Sequence, residues 1–144
     1  MDKTLKSVVE KYLEGEALCF VLLFNEYCHY IDDMIDEGNT APEDILTLCI
    51  KALDIYSSPF YQKNLSVLYP VVRVVTNMYG DSVVFEKSSD MKKQAYSVTL
   101  RHSCNEMWTT VIELCKGRTL ARRASIELRE LSLESHYNSQ GEPI

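Results

Sequence analysis

Residues 16–37 read EALCFVLLFNEYCHYIDDMIDE, and this segment is the clearest indication of the fold class. Its apolar side chains recur every three or four positions, the spacing that places them on one face of an α-helix. They are Ala17, Phe20, Val21, Phe24, Tyr27, Cys28, Ile31, Met34 and Ile35. Gly38 and Asn39 follow, and both residue types tolerate the left-handed turn that ends a helix. The stretch is therefore predicted to be one long amphipathic helix.

The rest of the chain carries the same helical periodicity in shorter pieces. Gly15 is expected to break or kink the chain before the long helix, and Thr40 to open the next helix through a T-x-x-E capping box with Glu43. Ser89 or Asp90 is the expected cap of a later helix that Gly117 ends. The predicted helices besides 16–37 are 3–13, 40–56, 65–79, 90–116 and 119–131, with 80–89 as a connector.

The segment 65–79 is open to two interpretations. Its apolar spacing favours a helix, but Val71, Val72, Val74 and Val75 are β-branched and Pro70 lies among them, which favours a strand. Because the segments on both sides are helical, we interpret this one as a helix too.

These elements predict an all-α fold, a helical bundle of about five to six helices. A chain of 144 residues has the usual size of one domain, and the low content of Gly (5) and Pro (4) is untypical of loop-rich β folds. We expect a single all-helical domain over residues 1–134 and a flexible polar tail over 135–144.

Charge and cysteine usage limit the function classes. The net charge of −6 disfavours non-specific nucleic-acid binding. The longest apolar run, 17–24, is far shorter than the roughly 20 residues that span a bilayer, so no membrane span is expected. The five Cys are odd in number and contain no CxxC, which favours buried free thiols in a reducing compartment. A cytoplasmic location is the resulting expectation.

An acid cluster closes the 16–37 helix. Asp32, Asp33, Asp36 and Glu37 lie where the helix dipole is negative, so each costs on the order of 0.3–1 kcal/mol if exposed. A cation would relieve their repulsion, and oxygen ligands favour Mg²⁺. The alternative is an ordinary solvated face, or one paired with Lys or Arg from another helix.

A second polar set lies in the predicted 90–116 helix. Asn105, Thr109 and Glu113 are four residues apart, so they stack along one face. An amide, a hydroxyl and a carboxylate together suit one Mg²⁺ with room for phosphate oxygens. Such spacing also arises by chance on a polar helix face.

Together the two sets resemble class I isoprenoid (terpene) synthases. Asp32, Asp33 and Asp36 form the pattern DDxxD, and the residues around them, YCHYIDDMIDE at 27–37, are similar to the corresponding helix of squalene and phytoene synthases. The stretch NEMWTTVIE at 105–113 looks like the second motif of terpene cyclases, with Glu106 and Thr109 as substitutions. The motifs lie 73 positions apart, and the chain is about half the usual length of that family.

The resemblance implies a reduced isoprenoid-synthase-like helical array that binds Mg²⁺ and a prenyl diphosphate. It implies one ligand set of Asp32, Asp33 and Asp36 and another of Asn105, Thr109 and Glu113. In such a site bound metals stabilise the departing diphosphate. It further implies diphosphate contacts from three arginines, Arg101, Arg118 and Arg122.

Other functions stay open. Glu43 and Asp44 after the first cluster suit an all-α nucleotide pyrophosphatase, and Glu26 with His29 has the E-x-x-H spacing of di-iron bundles, although a matching motif is missing. The non-enzymatic interpretation is a small helical interaction protein. Its acid turn, or its amphipathic third and last predicted helices, would bind a basic partner protein or a second copy in a homodimer. This last interpretation is the preferred one.

Overall fold

The structure is a computed structural model and describes residues 4–144. The eight helices of these residues are α1 (Leu5–Val9), α2 (Gly15–Glu37), α3 (Pro42–Tyr56), α4 (Pro59–Lys63), α5 (Leu65–Glu86), α6 (Met91–Arg101), α7 (Cys104–Lys116) and α8 (Arg118–Glu134). The only β-type pairing within residues 4–144 is an isolated bridge between Tyr137 and Pro143. The predicted all-α class is confirmed, and α4 is a short helix that the periodicity did not predict.

The chain separates into two compact units. One is Glu14–Leu65, which we call the α2–α4 unit, and the other joins the residues up to Leu13 with Ser66–Ile144. The single domain expected over 1–134 remains a prediction.

The α2–α4 unit is a helical hairpin closed by a short helix. Gly38 ends α2 in the left-handed conformation, with φ of 67°, which an L side chain adopts only with strain. The Tyr30 hydroxyl donates to the Asp44 carbonyl oxygen at 3.1 Å, and Lys51 pairs with Glu26 at 3.2 Å. Since the later residue of α3 contacts the earlier residue of α2, the two helices run antiparallel.

Aromatic rings form the core of this unit. The Phe20 ring lies 5.7–5.9 Å from three neighbouring rings, those of Phe24, Phe60 and Tyr61. Tyr56 contacts Tyr61 at 5.2 Å. Burial, followed by the proximity of Tyr27, raises the pKa of Tyr56, so its hydroxyl stays protonated at ordinary pH. The abundance of aromatic residues in the sequence is therefore used here for packing.

The other unit is organised by the α7–α8 hairpin. Gly117 links the two helices with φ of 86°. The buried apolar side chains of the hairpin are Met107, Trp108, Val111, Ile112, Ala121, Ala124 and Leu128. The turn after α1 packs on α8 through Lys11, whose ammonium lies 2.8 Å from the Glu127 carboxylate.

Several predicted helix boundaries are wrong. The T-x-x-E box does not form, because Ala41 is the N-cap of α3 and makes no side-chain cap bond. Pro42 occupies the first helical position and holds Ala41 in an extended conformation. Ala41 is therefore the N-cap, and Thr40 lies one residue before the position from which it could cap the helix. The predicted 3–13 helix is only Leu5–Val9 in the structure, and Lys3 lies outside the described residues.

Residues 80–86 of the connector expected over 80–89 are instead the last part of α5. This helix continues through Gly80 to Glu86 and contains Pro70 as well. Burial of Val72, Val75 and Ser82 along one face outweighs the roughly 1 kcal/mol that an interior glycine costs.

The single helix expected over 90–116 is two helices, α6 and α7. They are separated at His102 and Ser103, and the buried Ser103 hydroxyl donates to the Val75 carbonyl oxygen at 3.3 Å. Asp90 does cap α6, accepting from the Lys92 amide. The hydrogen bond from Ser103 to the backbone of α5 stabilises the turn between α6 and α7.

None of the five cysteines forms a disulfide, and none is buried, although the sequence pattern favours buried thiols. Cys19, Cys49 and Cys115 are exposed, and Cys28 and Cys104 are partly so. Residues 136–144 form a turn in which the Ile144 amide donates to the His136 carbonyl oxygen at 2.9 Å. Among the described helices, none has the length and hydropathy of a membrane-spanning segment.

Candidate functional site

The first predicted ligand set occupies the last two turns of α2. Asp33 and Asp36 are exposed and Asp32 is partly buried. No basic residue lies in the last turn of this helix, so the helix itself contributes no positive charge there to offset the negative charge of the acids. The neighbouring Glu37 accepts a 2.6 Å hydrogen bond from the Asn39 amide.

The second predicted set lies on α7 in three different environments. Asn105 is buried, and its side-chain amide donates to the Ser132 hydroxyl of α8 at 2.9 Å. The Thr109 hydroxyl oxygen is buried and has no hydrogen-bond partner among the residues described. Glu113 is exposed and lies 3.8 Å from the Arg118 guanidinium. Asn105 and Thr109 therefore have buried polar atoms, whereas Glu113 faces solvent.

The three arginines predicted to hold diphosphate are dispersed. Arg101 ends α6 and pairs with Glu86 at 2.9 Å. Arg118 opens α8 beside Glu113, and Arg122 is exposed one turn later.

A small cleft of about 210 Å³ surrounds the Arg101–Glu86 pair. His136 closes one side of it, with its ring 4.7 Å from the His102 ring. Burial, followed by the charge of Arg101, lowers the pKa of His136, which favours the neutral ring beside a guanidinium.

The two ligand sets belong to different compact units, the acids of α2 to the α2–α4 unit and Asn105, Thr109 and Glu113 to the other. Over residues 4–144 no group of three or more His, Cys, Asp and Glu side chains is arranged to hold a metal ion. Of the further candidates, Glu26 pairs with Lys51, and Asp44 accepts from Tyr30.

A different feature emerges on α3, where apolar side chains point outward. Leu46 and Leu53 are each 64% exposed and Ile50 is 57% exposed, with the exposed Cys49 between them. Positions 46, 49, 50 and 53 follow the i, i+3, i+4, i+7 rule, so they form one stripe. We call these four residues the α3 stripe.

The apolar spacing in the predicted 40–56 helix indicates one buried face, made of Ile45, Leu48, Cys49, Ala52 and Tyr56. The structure shows Ile45 and Cys49 exposed, with Ile55 as the only buried residue of α3. The signal for a second face was present, since nine of the fifteen residues in PEDILTLCIKALDIY are apolar. One buried face needs about half of a helix, so this excess predicts a second apolar face.

The α3 stripe lies in strongly acidic surroundings. Residues 14–65 contain ten Asp and Glu against two Lys, a net charge of −8, while the whole chain has −6. Glu43 precedes the stripe and Asp54 follows it, and both are exposed. The acid cluster of α2 is joined to the start of α3 by only four residues, 38–41. The stripe is thus an apolar surface whose N-terminal end is the most acidic.

Comparison of the chain with protein-family models, with curated proteins and with solved structures found no match.

Proposed function

We propose that this chain is a protein-interaction module that binds a basic amphipathic helix along the α3 stripe. The observation that carries the proposal is the outward exposure of Leu46, Ile50 and Leu53 on one helix face. Contiguous exposed apolar residues bordered by polar ones are typical of interaction surfaces. A helix laid on another helix uses this i, i+3, i+4, i+7 arrangement of anchors.

Burial of the exposed parts of the stripe supplies the affinity. A fully buried leucine or isoleucine gains about 1.5–3 kcal/mol, and Leu46, Ile50 and Leu53 are more than half exposed. Each then contributes on the order of 1 kcal/mol to a complex. The entropy lost on association consumes part of this gain, so moderate affinity is expected.

Charge selects the class of partner. The net charge of −8 over residues 14–65 attracts Lys and Arg and repels anionic lipid and nucleic acid. It also opposes a symmetric pairing of two α3 stripes, because each copy brings the same acids to the contact. A helix with Lys or Arg beside its apolar residues can bury those apolar residues against the α3 stripe and pair its charges with the surrounding acids.

The test uses a fluorescently labelled amphipathic peptide of about 18 residues, built from Leu and Lys and roughly 27 Å long as a helix. Binding is followed by fluorescence anisotropy for the wild type and for Leu46→Asp/Leu53→Asp. This variant adds negative charge, so attraction by charge alone would strengthen while apolar docking would weaken. Val84→Asp is the matched control, because Val84 is 68% exposed on α5, in the other unit.

We expect saturable binding that weakens at least about tenfold in the stripe variant, or 1.4 kcal/mol, and is retained in the Val84 control. A peptide with Glu in place of Lys should bind much more weakly. Equal binding by the stripe variant and the control, or no binding of the basic peptide, would overturn the proposal.

A further inference from the structure

We infer that the α3 stripe is occupied by α8 of a second copy of this chain, so that copies join head to tail. The inference rests on the proposed function and names its partner. It follows from an outward face of α8 that matches the stripe in spacing and opposes it in charge.

The outward face of α8 is basic at its N-terminal end and apolar further along, with one exposed acid, Glu130, between its two apolar residues. Ile126 is 50% exposed and Leu133 is 57% exposed, and they lie seven residues apart. Arg122 is exposed one turn before Ile126 and points to the same side of the helix. Residues 116–123 contain four basic side chains and no acid. We call Arg122, Ile126 and Leu133 the α8 face.

The spacing of the two surfaces agrees. Leu46 and Leu53 are also seven residues apart, the repeat that keeps side chains on one seam between paired helices. Setting Ile126 against Leu46 places Leu133 against Leu53. In this register Arg122 lies at the level of Glu43, about one turn before the apolar residues of each helix.

The charges select the parallel orientation. The acids of the α2–α4 unit concentrate at the N-terminal end of α3, where Glu43 and the end of α2 lie. The bases of α8 concentrate at its own N-terminal end. A parallel pairing brings these two ends together and leaves one like-charge pair, Glu134 level with Asp54, at the other end. An antiparallel pairing would instead set Glu134 toward Glu43 and the larger group of acids around it.

Each copy carries one α3 stripe and one α8 face, so the contact joins two different surfaces. Such a contact does not close on itself as a two-fold dimer does, and it produces chains or rings of copies. The inference therefore predicts an average mass that rises with concentration beyond that of a dimer.

The first experiment is sedimentation velocity on the full chain from about 1 μM to about 1 mM, the range for an interface of moderate affinity. One variant blocks the stripe, Leu46→Asp/Leu53→Asp, and another blocks the α8 face, Ile126→Asp/Leu133→Asp. Each alone should remain monomeric. Their equimolar mixture should form a discrete dimer and nothing larger, because one intact stripe meets one intact α8 face. The mixture also controls for folding, since each variant must supply a working surface.

A charge exchange tests the register. Glu43→Lys and Arg122→Glu should each weaken association, because each sets two like charges against one another across the contact. The two changes combined in one chain should restore association, because the opposite charges then face each other again with their positions exchanged. A double variant that associates no better than the weaker single variant would contradict the register.

The outcomes separate the two proposals. If the wild type remains monomeric up to about 1 mM while the basic peptide still binds the α3 stripe, the second-copy inference is wrong and the proposed function stands. If the mixed variants form no dimer although the wild type associates, a surface other than α3 or α8 is used and the inference is again wrong. If neither peptide nor copy binds the stripe, both proposals fail.

Discussion

The side-chain amide of Asn105 donates a 2.9 Å hydrogen bond to the Ser132 hydroxyl, and so joins α7 to α8 from a position only 6% exposed. The Ser132 hydroxyl in turn donates to the Leu128 carbonyl oxygen at 3.0 Å. Asn105, predicted from sequence as a metal ligand, thus has a structural partner. A buried amide that loses such a partner costs more than the bond itself contributes.

Removing the hydrogen bond between Asn105 and Ser132 should destabilise the fold, with no metal added. Asn105→Ala should lower the free energy of unfolding by about 1–2 kcal/mol, because it removes the bond and leaves a small void under α8. Urea denaturation measures the change. The double variant Asn105→Ala/Ser132→Ala should lose less free energy of unfolding than the two single variants lose in sum, because both remove the same bond. A double-mutant cycle measures this difference. Full additivity would show that the two side chains do not interact.

Magnesium with pyrophosphate provides a test of the metal-site hypothesis. We expect the midpoint of thermal unfolding to be unchanged by the two together, since Asn105 is engaged with Ser132 and Glu113 lies beside Arg118. A ligand that binds only the folded state must raise that midpoint. A rise that requires both ions and disappears in Asp33→Asn and in Glu113→Ala would contradict this expectation and restore the diphosphate site.

Two glycines should respond in opposite ways to alanine. Gly80 lies within α5, and a Cβ built there meets no atom within 4 Å. Gly80→Ala should therefore raise the free energy of unfolding by about 0.5–1 kcal/mol. Gly38 is the matched control, since its φ of 67° strains any L side chain and Gly38→Ala should destabilise by about 1 kcal/mol. A destabilised Gly80→Ala would mean that α5 is interrupted at Gly80 in solution.

The Tyr12 hydroxyl should make stability depend on alkaline pH. It donates to Glu127 at 2.5 Å, and this bond, followed by burial, raises the pKa of Tyr12. The stabilisation is complete below the ordinary tyrosine pKa of about 10 and is lost as pH rises above it, because the unfolded chain ionises first.

Tyr12→Phe should cost about 1 kcal/mol at about pH 8, and the difference from the wild type should shrink above about pH 10. Urea denaturation at both pH values measures it. A difference that does not change with pH would show that the hydroxyl is not bonded to the Glu127 carboxylate.

The helical class was predictable because periodicity depends on each segment alone. The 16–37 helix and its end at Gly38 followed from apolar spacing and from a glycine suited to positive φ. The break at Ser103 and the passage of α5 through Gly80 were not predictable, since both depend on contacts with distant residues, such as the bond from Ser103 to Val75. Local propensity yields to such packing.

The candidate site shows the same division. The acid cluster was visible in the sequence, but which side of α3 the core leaves exposed depends on where α2 and α4 pack. Counting apolar residues in 42–56 would have shown an excess over one face, yet it could not distinguish the outward Leu46 from the buried Ile55. Only the antiparallel α2–α3 packing makes that distinction.

The most direct test of the central claim, that the α3 stripe is a binding surface, is to map the basic peptide on the protein by NMR. A ¹⁵N-labelled sample is titrated with the unlabelled Leu–Lys peptide, and backbone amide shifts are followed residue by residue. We expect the largest shifts over Glu43–Asp54 of α3, and we expect the stripe variant Leu46→Asp/Leu53→Asp to lose them. Shifts spread over other helices, or concentrated at the acids of α2 with α3 unchanged, would contradict it.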